Sequence, residues 1–146
     1  MGAMLSPQTA GRALTLLLRV IGVSSLFALI FVAAPESWMA TIHEGMAMGP
    51  IPTAPVVGYL ARSTSAFYAI AGGLFLLVAT DLNRYRAVLL YVGWTMTLFG
   101  VILLAVDVLE GMPHSWTLWE GPFVVLFGGV MLWLTRRLLP PETPMQ

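Results

Sequence analysis

Apolar positions in this chain gather into four long runs separated by short polar stretches. Crossing the hydrocarbon of a bilayer takes about 20 helical residues. The runs predict spanning helices over residues 14–34, 55–80, 87–109 and 116–138. Residues 1–11 read as a loose tail, after which Arg12 and Arg19 share one face of the first helix. Val32, Ala33 and Ala34 imitate a signal-peptide cleavage site. Pro35 directly after the would-be cut argues instead for an uncleaved first span. In the following loop Trp38, Met39, Ile42 and Met46 fall on one helical face, with Glu36, Thr41, His43 and Glu44 largely elsewhere. That pattern predicts a short amphipathic interfacial helix with Trp38 at headgroup level. Pro50 and Pro52 stop it, and Pro55 opens the second span. Residues 81–86 form a tight loop, Ser115 is a candidate cap, and Pro122 should loosen the first turns of the fourth span. Pro140, Pro141 and Pro144 predict an extended tail.

The cations orient these spans. Arg12, Arg19, Arg84, Arg86, Arg136 and Arg137 all fall on one side of a four-span layout, and only Arg62 does not. The positive-inside rule makes that side cytoplasmic, with both termini inside. The expected fold is therefore all-α: a four-helix transmembrane bundle, N-in and C-in, as one domain over residues 1–146. Composition agrees: 58% of residues are hydrophobic and 10% charged, against about 25% charged in a soluble domain. Zero net charge and the lack of a basic block leave no footprint for nucleic acid. The absence of cysteine removes thiol catalysis, disulfide exchange and thiolate metal sites. The expected partner is the lipid bilayer of a cell inner membrane, with a homo-oligomer or a larger membrane complex as a further expectation.

Arg62 is the residue that asks for an explanation. It lies roughly 10 Å along the second span, where a guanidinium costs about 2.5 kcal/mol or more unless it finds a partner. Snorkelling to the headgroups is one reading. The other places it inside the bundle, paired with Asp107 and Glu120 from the third and fourth spans. Ser65, Ala69 and Gly73, four apart, favour close helix contact on the same helix. With Tyr59, His43 and His114 nearby in that layout, the cluster is a candidate outward-facing ligand pocket or a structural lock. The side opposite the arginines also carries Glu36, Glu44 and Glu110, with Trp116 and Trp119.

A faint internal echo accompanies this. Ser25-Leu-Phe-Ala-Leu-Ile30 in the first span resembles Thr97-Leu-Phe-Gly-Val-Ile102 in the third. Phe67 and Gly72-Gly73 in the second resemble Phe123 and Gly128-Gly129 in the fourth. A duplicated helical hairpin would produce this, as would convergence among apolar helices of similar composition.

Catalytic residues are not indicated. His43, Glu44, His114 and Glu120 have metal-ligand chemistry but no metal-motif spacing, so no metal site is expected. Neither histidine lies within an apolar run, as an axial ligand to a membrane haem would. Met39, Met46 and Met48 are better read as adaptable interfacial packing than as soft-metal ligands. The leading expectation is a non-catalytic accessory or scaffold subunit, the alternative a quinone- or small-molecule-binding protein.

Three stretches carry a resemblance: Tyr59-Leu-Ala-Arg62-Ser-x-Ser-Ala-x-Tyr68; Asp81-Leu-x-Arg84-Tyr85-Arg86; and Asp107 followed by Gly111-x-Pro113-x-x-Trp116-x-x-x-Glu120. Together they resemble small bacterial four-helix membrane proteins of the DoxX/BphX-like type. The resemblance implies a four-span inner-membrane protein. It also implies quinone as the one cofactor to consider, since some relatives are associated with quinone-linked sulfur oxidation. It transfers no catalytic residue.

Overall fold

The computed structural model describes residues 6–138; the proline-rich stretch with Pro140, Pro141 and Pro144 lies outside them. Every regular element among the described residues is a helix. They are α1 (Pro7–Leu26), α2 (Leu29–Ala33), α3 (Glu36–Gly45), α4 (Pro55–Val78), α5 (Arg86–Leu109), α6 (His114–Thr117) and α7 (Glu120–Arg137). Helix α1 runs on into α2, and α6 into α7. Four spans result, Pro7–Ala33, Pro55–Val78, Arg86–Leu109 and His114–Arg137, each long and apolar enough to cross a membrane. Large apolar side chains cover their outsides: Ile70 is 72% exposed, Phe67 71% and Leu109 83%. Such continuous apolar surface is tolerated in lipid, not in water. The chain is a multi-pass membrane protein.

Local chemistry explains where the helices begin and break. Residues 7–11 are helical, not a loose tail, because Ser6 caps α1: its Oγ accepts the Thr9 amide at 3.2 Å, and Pro7 occupies the first turn. At Phe27 and Ala28 the amides reach back only three residues, to Ser24 at 3.2 Å and Ser25 at 3.1 Å. The chain there is wound tighter than an α-helix. The fourth span breaks at Leu118–Trp119. Pro122 has no N–H for the Leu118 carbonyl, and its ring crowds that same carbonyl. Helix α3 forms where the amphipathic pattern predicts it, and Met46 caps its end.

Spans pack in antiparallel pairs, α1/α2 with α4 and α5 with α7. Glycine sets both distances. A Cβ on Gly72 would stand 2.6 Å from the Gly22 carbonyl and 2.9 Å from Ser25 Cβ. A Cβ on Gly128 would stand 2.5 Å from Thr97 Oγ1 and 2.8 Å from the Gly93 carbonyl. Ser25 with Gly72, and Thr97 with Gly128, are the corresponding positions of the sequence echo. The two hairpins thus repeat one contact: a glycine of the second helix against a small hydroxyl residue of the first.

The pairs join at the arginine-bearing end. Leu14 and Leu18 of α1, Phe75 and Val78 of α4, Leu89 of α5, and Phe127, Met131 and Leu134 of α7 form one buried cluster. Phe75 meets Phe127 edge-on, centroids 5.6 Å apart. Towards the same end Arg136 stacks over Trp94 and Arg137 over Trp133, each at 5.5 Å. That buried cluster draws nothing from α2, α3, α6 or the first half of α4. At the opposite, acidic end the two pairs are therefore not sealed by a shared core.

Candidate functional site

Where the core stops, a cavity of about 790 Å³ begins. Its walls are α3, the loop leading to α4, the first half of α4, and the α6–α7 junction. One stripe of α4 faces it. Val57, Gly58, Ala61, Thr64, Ser65 and Tyr68 all line it, at the three- and four-residue spacing that puts side chains on one helical face. Apolar groups predominate; the polar ones are Glu36, Ser37 and His43 from α3, Thr53 from the loop, Thr64, Ser65 and Tyr68 from α4, and Trp116 and Glu120 from the junction.

Two hydrogen bonds fix the polar end. Trp116 Nε1 donates to Glu120 Oε2 at 2.7 Å, bridging the break that Pro122 imposes. His43 Nδ1 donates to the Gly49 carbonyl at 2.7 Å. That bond closes the turn after α3, where Ala47 (φ 61°) and Gly49 (φ 78°) take left-handed conformations. Glycine bears that geometry without strain; alanine does not.

Arg62 is not in this cavity, and its pairing with Asp107 and Glu120 does not occur. Its Nη1 donates to the Val32 carbonyl at 2.6 Å, and among the described residues neither acid forms an ion pair with it. The reason lies in how the first span ends. Ala34 and Pro35 are extended (ψ 143° and 147°), so the last carbonyls of α2 have no amide of their own helix to accept. A cation there satisfies one of them and lies at the negative end of the helix dipole. Arg62 is a cap supplied by one span to another, a lock between the first and second spans rather than among the second, third and fourth.

The other expected site residues divide. His43 and Glu120 meet at the cavity. Tyr59 is 69% exposed on the outside of α4 and does not line it. His114 is exposed at the start of α6. Asp107 is only 4% exposed, in the last turn of α5. Among the described residues its Oδ2 has no hydrogen-bond donor. It does not line the cavity, but lies near enough to Glu120 for the two carboxyl groups to interact. Glu36, Tyr68 and Trp116 were not singled out as site residues by the sequence. For Tyr68 the signal was present: it stands seven residues from Ala61 on the same stripe, whereas Arg62 is one residue off it, about 100° around the helix. No group of three or more histidine or acidic side chains able to hold a metal ion occurs among the described residues.

Comparison with protein-family models, with curated proteins and with solved structures finds no match.

Proposed function

We propose that this protein binds a small amphipathic molecule in the cavity at its acidic end. The observation that carries this is the cavity itself. Its volume of about 790 Å³ falls within the roughly 300–1,000 Å³ of small-molecule sites, and its apolar walls with a few fixed polar groups follow the same pattern. It opens where the hairpins lack a common core, so filling it does not displace packed side chains. The quinone expected from the sequence is one molecule of the class. The membrane is a bacterial inner membrane, with the arginine-bearing end cytoplasmic and the cavity on the far side. The DoxX/BphX-like resemblance is in keeping with that placement.

The test is native mass spectrometry of the protein extracted in mild detergent, beside Ala61→Phe, which fills the cavity from the α4 stripe. The reading requires a small amphiphile retained by the wild type and lost from the variant. Equal retention by both, or none by either, counts against it.

A scaffold role is the second reading, favoured by a separate observation. A Cβ on Gly73 or Gly129, corresponding positions in the two hairpins, would meet nothing within 4 Å. Both glycines leave flat places on exposed faces, where a helix of another subunit or of a second copy fits closely. Mass measurement in mild detergent tests it, and a strictly monomeric species without partners argues against it.

A further inference from the structure

We infer that the ligand of this cavity is a lipophilic cation: an ammonium or phosphonium centre carrying apolar groups. The inference rests on the cavity being a binding site and adds the chemical class of its occupant.

Charge is the first argument. The acidic groups in the cavity wall are Glu36 and Glu120, and no arginine or lysine lines it. Arg62, the nearest cation along the α4 wall, is held on the Val32 carbonyl. The other six arginines lie at the far ends of helices on the order of 35 Å long. Asp107 adds a third carboxyl group close to Glu120, buried, and among the described residues its Oδ2 has no donor. A carboxylate removed from water is costly until a counter-charge meets it, and here the described residues supply none.

Hydrogen bonding is the second. A quinone carbonyl or an anionic headgroup needs donors, and three of the donors in this wall are already engaged. Trp116 Nε1 is bound to Glu120, His43 Nδ1 to Gly49, and Ser65 Oγ to the Ala61 carbonyl. Hydroxyls of Ser37, Thr53, Thr64 and Tyr68 remain uncommitted among the described residues, but no charged donor lines the cavity, and Glu36 and Glu120 keep spare acceptor oxygens. A cation without donors of its own is then favoured by charge alone, and the rings of Tyr68 and Trp116 in the same wall add quadrupole attraction. The apolar remainder of the cavity suits the substituents of such an ion.

The experiment uses the full chain in zwitterionic lipid nanodiscs, with empty nanodiscs as the partition control. Three compounds of similar shape are titrated by equilibrium dialysis: tetraphenylphosphonium, triphenylphosphine oxide and tetraphenylborate. The cation should bind saturably, and at least tenfold more tightly than the neutral and anionic compounds. Glu120→Gln and Glu36→Gln should each weaken cation binding on the order of tenfold while leaving the neutral compound unaffected. Near-isosteric glutamine keeps an oxygen for Trp116 Nε1, and thermal unfolding confirms that each variant is folded. Binding of the neutral or anionic compound as tightly as the cation, abolished by Ala61→Phe, overturns the cation assignment and leaves the amphiphile site standing. Cation binding unmoved by either glutamine variant also overturns the assignment. Binding of none of the three overturns both.

Discussion

Gly128→Ala offers the sharpest test of the packing that shapes the cavity. The added methyl would stand 2.5 Å from Thr97 Oγ1, 2.6 Å from Thr97 N and 2.8 Å from the Gly93 carbonyl. Two of these three are backbone atoms, which cannot swing aside as a side chain can. Ordinary carbon contacts begin near 3.5 Å, so α5 and α7 must separate by roughly 1 Å along their longest contact. Overpacking of this kind costs about 1–3 kcal/mol. The next residue is the control, since a methyl on Gly129 meets nothing within 4 Å and gains up to about 1 kcal/mol from helix propensity. Gly128→Ala gains the same propensity, so the two changes should differ by the overpacking cost alone, about 1–3 kcal/mol. Reversible unfolding in mixed dodecylmaltoside–dodecylsulfate micelles, followed by circular dichroism, measures the difference. Equal stability of the two variants would refute close glycine-mediated packing of this hairpin. Gly72→Ala, facing the Gly22 carbonyl at 2.6 Å, should repeat the loss in the other hairpin.

Three further outcomes follow from particular contacts. Arg62→Gln should raise hydrogen exchange in residues 29–36, and a double-mutant cycle of Arg62 with Asp107 should show coupling below about 0.5 kcal/mol; coupling of several kcal/mol would restore the ion pair. Asp107→Leu, which removes a buried carboxyl group whose Oδ2 has no donor among the described residues, should be neutral or stabilising by up to about 2 kcal/mol, and a large loss in the same unfolding assay would show an unrecognised partner. Ser6→Ala should cost about 1 kcal/mol, seen as faster exchange of the first turn of α1; unchanged exchange there would show that the cap does not hold that turn.

Long-range order along the chain was legible because lipid imposes one strong rule, that a span be apolar for some 20 residues. Arginine placement divided the two ends for a similar reason. The start of α1 was misread as a loose tail, although Ser6-Pro7 is a cap followed by a first-turn proline. The site was harder. Arg62 invites a carboxylate partner because charge is the only property a sequence shows. An unfilled carbonyl at the end of α2 is a partner too, but it arises only once Ala34 and Pro35 turn the chain. Tyr68 read as a hydrogen-bonding group near Arg62, and Trp116 as one aromatic of the acidic side, until the fold placed them in one wall. Glu120 was found for a reason that failed, the pairing with Arg62, and lies at the site for another, the hydrogen bond across the Pro122 break. The repeat of Ser25/Gly72 in Thr97/Gly128 could be suspected from apolar sequence and became distinct only through its contacts.

The central claim is that the acidic end of the bundle holds a site for an amphiphile, and Trp116 reports on it directly. With Trp38, Trp94, Trp119 and Trp133 changed to phenylalanine, Trp116 is the sole indole left, in the cavity wall. A brominated alkyltrimethylammonium added to nanodiscs should quench it along a saturating curve, while a companion protein retaining only Trp133 should be quenched in simple proportion to the bromide in the bilayer. Proportional quenching of Trp116, indistinguishable from that of Trp133, would contradict the claim.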